Sequence, residues 1–138
     1  MSRQNSAIVG AAGESAVSAL FFEHGYQVYA PVFGAPEVDL IADIGGKAVR
    51  IQVKTMETAT PGIRFSSRNA KKRGYTGKVD WIAFHSTHYG VTAFLKPEEA
   101  GARPTLRYDT PDERCKPNSR IRYACDYPIE RVIKEITT

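Results

Sequence analysis

Residues 36–55, PEVDLIADIGGKAVRIQVKT, constrain this chain more than any other stretch, because two alternating runs meet at Gly45 and Gly46. A pair of glycines between such runs is the signature of a two-residue hairpin turn in which both central residues take positive φ. That turn fixes the pairing. Leu40 faces Ile51, Ala42 faces Val49 and Val38 faces Val53, which makes one apolar face. The other face pairs Asp39 with Gln52, Glu37 with Lys54, and Ile41 with Arg50. Directly opposed side chains have Cβ atoms about 4.5–5.5 Å apart, so Asp39 and Gln52 fall within reach of one cation. The ordinary reading of such a face is a sheet surface meeting water, with Glu37 and Lys54 as a surface ion pair. Against it, the polar groups gather at the strand ends away from the turn, where ligand clefts form.

The rest of the chain supplies layers around this hairpin. Residues 6–24 have helical period, with Val9, Val17, Leu20 and Phe21 on one stripe and Gly25 as the stop. Glu14 lies on the flank of that stripe, where a carboxylate must be solvated or paired. Strands are predicted at 26–31, 79–84, 91–95, 105–108 and 120–125, and a closing helix at 128–136. Residues 58–77 lack an apolar period and read as a loop with one short helix, and KPEEA reads as a short helical start. Neither repeat nor linker divides the chain, so residues 1–138 are expected to form a single domain of mixed α/β type. No apolar run reaches membrane-spanning length. The start of the chain does not read as a signal peptide, and Cys115 and Cys125 are too few for a disulfide scaffold, so a cytoplasmic protein is expected.

A helix carrying Glu14, a strand, Asp39 on a second strand, then Gln52 and Lys54 in IQVKT: this order resembles the PD-(D/E)XK nuclease superfamily. The closest likeness is to small intron-encoded homing endonucleases of bacteria and phages, and more distantly to archaeal Holliday-junction resolvases. The resemblance runs from Gly10 to about Leu95. It departs from the family pattern in two places. Pro36 stands three residues before Asp39 instead of directly before it, which leaves Glu37 as a rival acid, and Gln52 occupies a position where most members have Glu or Asp.

The resemblance implies a restriction-endonuclease-like fold, a mixed β-sheet flanked by helices, and Mg2+-dependent hydrolysis of phosphodiester bonds in double-stranded DNA, with Mn2+ able to substitute. Glu14, Asp39, Gln52 and Lys54 are the implied catalytic residues. Asp39, the Gln52 side-chain carbonyl, the Val53 backbone carbonyl and Glu14 are the implied metal ligands. Two other functions stay open: a Holliday-junction resolvase or repair nuclease, and a catalytically inactive DNA-binding module of the same fold.

The charge distribution supports a nucleic-acid partner. Net charge is only +4, yet six of the 19 basic residues, Arg64, Arg68, Lys71, Lys72, Arg73 and Lys78, fall within residues 64–78, which contain no acid. Lys and Arg contacts to phosphate supply much of the affinity for DNA. Reading a specific site with so small a chain implies a homodimer or homotetramer. Other candidates are weaker. His85, His88 and the two cysteines match no zinc spacing. Ser66, Ser67 and His85 lack a nucleophile-elbow motif, and Asp80 reads as a structural strand-edge acid.

Overall fold

Gly45 and Gly46 form the expected turn, with φ of 59° and 83°, and the Gly46 N–H donates to Asp43 Oδ1 at 3.1 Å. The structure is a computed structural model and describes residues 3–33, 37–65, 77–101, 103–109 and 122–138. Strands β2 (Leu40–Ile44) and β3 (Lys47–Met56) leave this turn in the expected antiparallel register, Leu40 opposite Ile51 and Ala42 opposite Val49. At Asp39 the register changes. Its N–H donates to the Ile51 carbonyl at 2.9 Å, although Leu40 is already the Cα partner of Ile51. Two residues thus oppose one, which is the count of a β-bulge.

A slip of one residue turns side chains to the other face. Val38 accordingly does not join Val53 in the first core but packs against the second. Glu37 does not pair with Lys54 either; its carboxylate lies 3.6 Å from Lys78 Nζ.

Helix α1 (Arg3–Glu23) precedes the edge strand β1 (Gln27–Tyr29), which pairs antiparallel with β2. The helix ends where Gly25 takes φ of 85°; the Tyr26 N–H reaches the Phe21 carbonyl and the Gly25 N–H the Phe22 carbonyl, both at 2.9 Å. This pair of bonds is the Schellman arrangement that satisfies the last helical carbonyls. The long strand β3 continues parallel to β5 (Trp81–Ser86), and β6 (Val91–Leu95) completes a mixed sheet in the order β1-β2-β3-β5-β6. A second sheet of three short strands holds β4 (Gly62–Arg64), β7 (Thr105–Arg107) and β8 (Arg122–Tyr123). The predicted loop at 58–77 therefore contributes β4. Within the predicted strand at 120–125 the described residues form β8, which ends where Ala124–Asp126 turn into a 3₁₀ segment. Helix α2 (Pro97–Ala100) is one turn, and α3 (Glu130–Thr137) closes the chain.

The five-stranded sheet separates two cores. On one face Ile51, Val53, Ala83 and Phe94 pack against Val17 and Phe21 of α1 and against Ile129 and Val132 at the chain's end. On the other face Ile82, Phe84 and Leu95 meet Ile63 and Leu106 of the second sheet and Phe65 just after β4. Alternate residues of β5 therefore serve both cores, and all six are buried. No described helix is long and apolar enough to cross a membrane.

Arg50 and Asp80 clamp β3 to the start of β5. The Arg50 N–H donates to Asp80 Oδ2 at 2.8 Å, Arg50 Nη2 to Oδ1 at 3.2 Å, and the Asp80 N–H to the Arg50 carbonyl at 2.9 Å. Burial pushes the Asp80 carboxyl up, but the hydrogen bonds and charge of Arg50 outweigh it and hold the group below its ordinary range. Because the folded form binds the proton less tightly than the unfolded chain, the stabilisation is complete above a pH of about 4 and is lost as pH falls below it. Asp80→Ala should lower unfolding free energy by about 1–2 kcal/mol near neutral pH, a moderate loss because both side chains remain half-exposed. Urea titrations in acid and at neutrality check this; the difference between variant and wild type should shrink in acid.

Candidate active site

The bulge decides where the first acid points. The Val53 N–H donates to Asp39 Oδ2 at 2.8 Å, so the carboxylate is held against β3 by its backbone. Asp39 therefore reaches the strand beside Gln52 through this backbone bond, where the unbroken register would have paired the two residues face to face. Burial pushes the Asp39 carboxyl above its usual range, opposed by the Val53 N–H and by the nearby charge of Lys54.

Glu14 arrives from the opposite layer. The residue before it, Gly13, lies so close to β3 that a Cβ there would come within 1.8 Å of Thr55 Oγ1 and 2.8 Å of Thr55 Cβ. Only glycine permits that approach, and it brings the next residue of α1 towards the end of β3. The Glu14 carboxyl is raised, first by burial and then by the negative charge of Asp39. Two carboxyls both raised by burial, one of them further by the charge of the other, form a place where a cation is favoured. They share a shallow cleft of about 340 Å³ whose outer lip carries Val32 and Phe33.

Gln52 gives the most telling detail. Only 8% of the residue is exposed, and its Oε1 is the one buried side-chain oxygen or nitrogen without a hydrogen-bond partner among the described residues. An amide oxygen left unsatisfied costs about 1–3 kcal/mol unless something else meets it. Gln52 sits opposite Ile82 and Lys54 opposite Phe84 in the β3–β5 ladder, so both belong to the strand face turned to the second core. Lys54 is half-exposed and also lines a larger groove of about 600 Å³ between α1 and the end of β3.

The structure thus brings Glu14, Asp39, Val53 and Lys54 to one end of β3, and Gln52 presents its oxygen from the same strand. Among the described residues no group of three His, Cys, Asp or Glu side chains converges. The site has two acids and an amide where three acids would be the simpler solution. Sequence reasoning did not find Gly13; its signal was a glycine inside a helical pattern, which costs stability unless close packing requires it. Of the basic candidates, Arg64 lies exposed on β4 and Lys78 is paired with Glu37. Arg68, Lys71, Lys72 and Arg73 lie outside the described residues, as do Ser66, Ser67 and Cys115. His85 is buried with Nδ1 2.7 Å from Thr92 Oγ1, His88 packs edge-on against Tyr89, and Cys125 is exposed.

Comparison with known proteins follows this geometry. The family model for PD-(D/E)XK endonuclease matches residues 4–128. Among solved structures, the chain is similar to a bacterial homing endonuclease, I-Ssp6803I, with a TM-score of 0.71 and 16% sequence identity over 92% of this chain and 90% of that one. It also has a likeness, with a TM-score of 0.49 and 13% identity over 71% of this chain and 83% of the other, to Hjc, a Holliday junction resolvase of the archaeal hyperthermophile Archaeoglobus fulgidus. No curated protein matches the chain. The first likeness bears out the restriction-endonuclease-like fold.

Proposed function

The chain belongs to the PD-(D/E)XK endonuclease family, and from that premise we propose that it is a metal-dependent endonuclease cutting double-stranded DNA in the manner of a homing endonuclease. One observation carries the reading: a buried amide oxygen without a partner among the described residues, on the strand that also holds Asp39. Together with two carboxyls of raised proton affinity it would supply an all-oxygen donor set, the kind a hard divalent cation takes. Asp39, Gln52 and Glu14 would hold Mg2+ or Mn2+, with the Val53 carbonyl as a further neutral donor. When bound, such a cation supplies Lewis acidity and lowers the pKa of a coordinated water.

The remaining work falls to side chains of this chain. Lys54 places a positive charge beside Asp39, where it orients the attacking water and offsets charge that builds on the phosphate oxygens. The Val53 N–H holds one oxygen of the Asp39 carboxylate, Oδ2, which leaves Oδ1 to meet a cation. Glu14 adds negative charge from the helix side and accepts a proton from a neighbouring water. Basic residues 64–78 would track the phosphate backbone as part of a homodimer or homotetramer.

Gln52 leaves the donor set one negative charge short of a site with three acids, which sets the test. Gln52→Glu should tighten Mg2+ binding about tenfold by isothermal titration. In metal-free buffer the same change should lower the melting temperature, because a third carboxylate joins two already crowded ones. Equal Mg2+ affinities in the two proteins would remove Gln52 from the donor set. Binding of plasmid DNA without cleavage in Mg2+ or Mn2+, unchanged by Asp39→Ala, would replace the nuclease reading with that of a binding module.

A further inference from the structure

Val32 and Phe33 are each 88% exposed, more than any other large apolar side chain among the described residues. Single exposed apolar side chains are ordinary, but adjacent ones that form a patch on the rim of a cleft mark a binding surface. Their position narrows the choice of partner. Both line the cleft that holds Glu14 and Asp39, and among the described residues no Lys or Arg lines it with them. The lip itself carries no base among the described residues; the positive charge near Asp39 comes from Lys54 on β3. What the lip offers a duplex is apolar surface, which matches the faces of bases and the carbons of deoxyribose.

We infer that Phe33, backed by Val32, inserts into the base stack next to the bond being cut. The inference rests on the nuclease reading and adds to it how the duplex is seated. With the scissile phosphate at Asp39, the adjacent base step lies within the reach of the cleft's lip. An apolar side chain entering a step unstacks it partly and kinks the helix, which opens the groove and lets the backbone sink towards the acids. Flexible pyrimidine–purine steps yield most readily, so the wedge also contributes a preference at positions that no hydrogen bond reads. Pro31, just before the pair, restricts the backbone that carries it.

The test uses the full chain and a linear duplex spanning a cut mapped on plasmid DNA, held uncut by replacing Mg2+ with Ca2+. 2-Aminopurine is placed in turn at each step flanking the cut. Wild type should raise its fluorescence several-fold at one step. Phe33→Ala should abolish that rise and weaken binding about tenfold, whereas Phe33→Trp should preserve both. Phe33 is so exposed that its removal leaves both cores untouched, and circular dichroism checks this. Wild-type cutting with silent 2-aminopurine at every step overturns the wedge alone. Dissociation of an oligomer by Phe33→Ala also overturns it, because the lip would then be covered by a second copy. No cutting of any DNA by wild type overturns the wedge and the nuclease reading together.

Discussion

Lys54→Ala should slow DNA cleavage on the order of 10³-fold while duplex affinity changes by less than about tenfold. The separation follows from where the ammonium sits. Lys54 belongs to the same strand as Gln52 and lies near enough to Asp39 for its charge to work against burial in setting that carboxyl's proton affinity. On the nuclease reading its loss would remove a charge that offsets the reacting phosphate, and it would also let Asp39 hold its proton to higher pH. The pH dependence therefore carries a sign. Burial already raises the Asp39 pKa, so cleavage that needs the ionised acid rises with pH through that raised value. In the variant the rising limb should move further towards alkaline pH. Lys54→Arg should recover little, because a planar guanidinium does not occupy the volume or present the single point charge of an ammonium. Single-turnover rates across a pH series, with binding measured in Ca2+, check both effects. A variant that cuts at the wild-type rate would remove Lys54 from the chemistry.

Gly13→Ala should be the most destabilising small substitution in α1, about 2–3 kcal/mol, even though alanine is the better helix former by about 1 kcal/mol. The added methyl would stand 1.8 Å from Thr55 Oγ1 and 2.8 Å from both Thr55 Cβ and Cγ2. Rotating Thr55 relieves only part of this, since Cβ does not move with χ1, so helix and strand must separate. That separation would loosen Val17 and Phe21, both fully buried against the sheet, and withdraw Glu14 from Asp39. Chemical denaturation should show a lowered midpoint, and Thr55→Gly in the same chain should restore most of the loss. Gly10, three residues earlier, has open space where its Cβ would be, so Gly10→Ala is a matched control that should stabilise the helix. If the two alanine variants behaved alike, the close approach would have no energetic weight.

The hairpin was legible because its turn and its alternation are local: two glycines, five residues of β2 and the facing half of β3 determine one another. The closing helix was legible for the same reason, through Ile129 and Val132, both buried. What stayed hidden depends on contacts distant in sequence. Nothing near Asp39 announces a bulge, which appears only when its N–H takes the Ile51 carbonyl. Pairing of Glu37 with Lys78 instead of Lys54 follows from that slip. In the second sheet β4 was missed, being three residues long and too short to display a period, whereas β7 and β8 fall within the strands expected at 105–108 and 120–125. Within the candidate site, residue types were readable and their attachment was not. Gln52 could be named as an oxygen donor, but that its Oε1 is buried without a partner among the described residues required the packing around it. Gly13 looked like a weak point in a helix and proves to be the place where helix and strand touch.

The bulge at Asp39 has a consequence for how such a protein can change over generations. Asp39 is anchored to β3 twice, by its N–H to the Ile51 carbonyl and by its carboxylate to the Val53 N–H. Residues added or lost between β1 and Glu37 would reshape the lip around Val32 and Phe33 without shifting the acid. On the nuclease reading, chemistry and recognition would then sit on separately inherited parts, one held constant by the hairpin and the other free to drift in length and composition. A lineage of such nucleases would wander from target to target and keep its cutting centre intact.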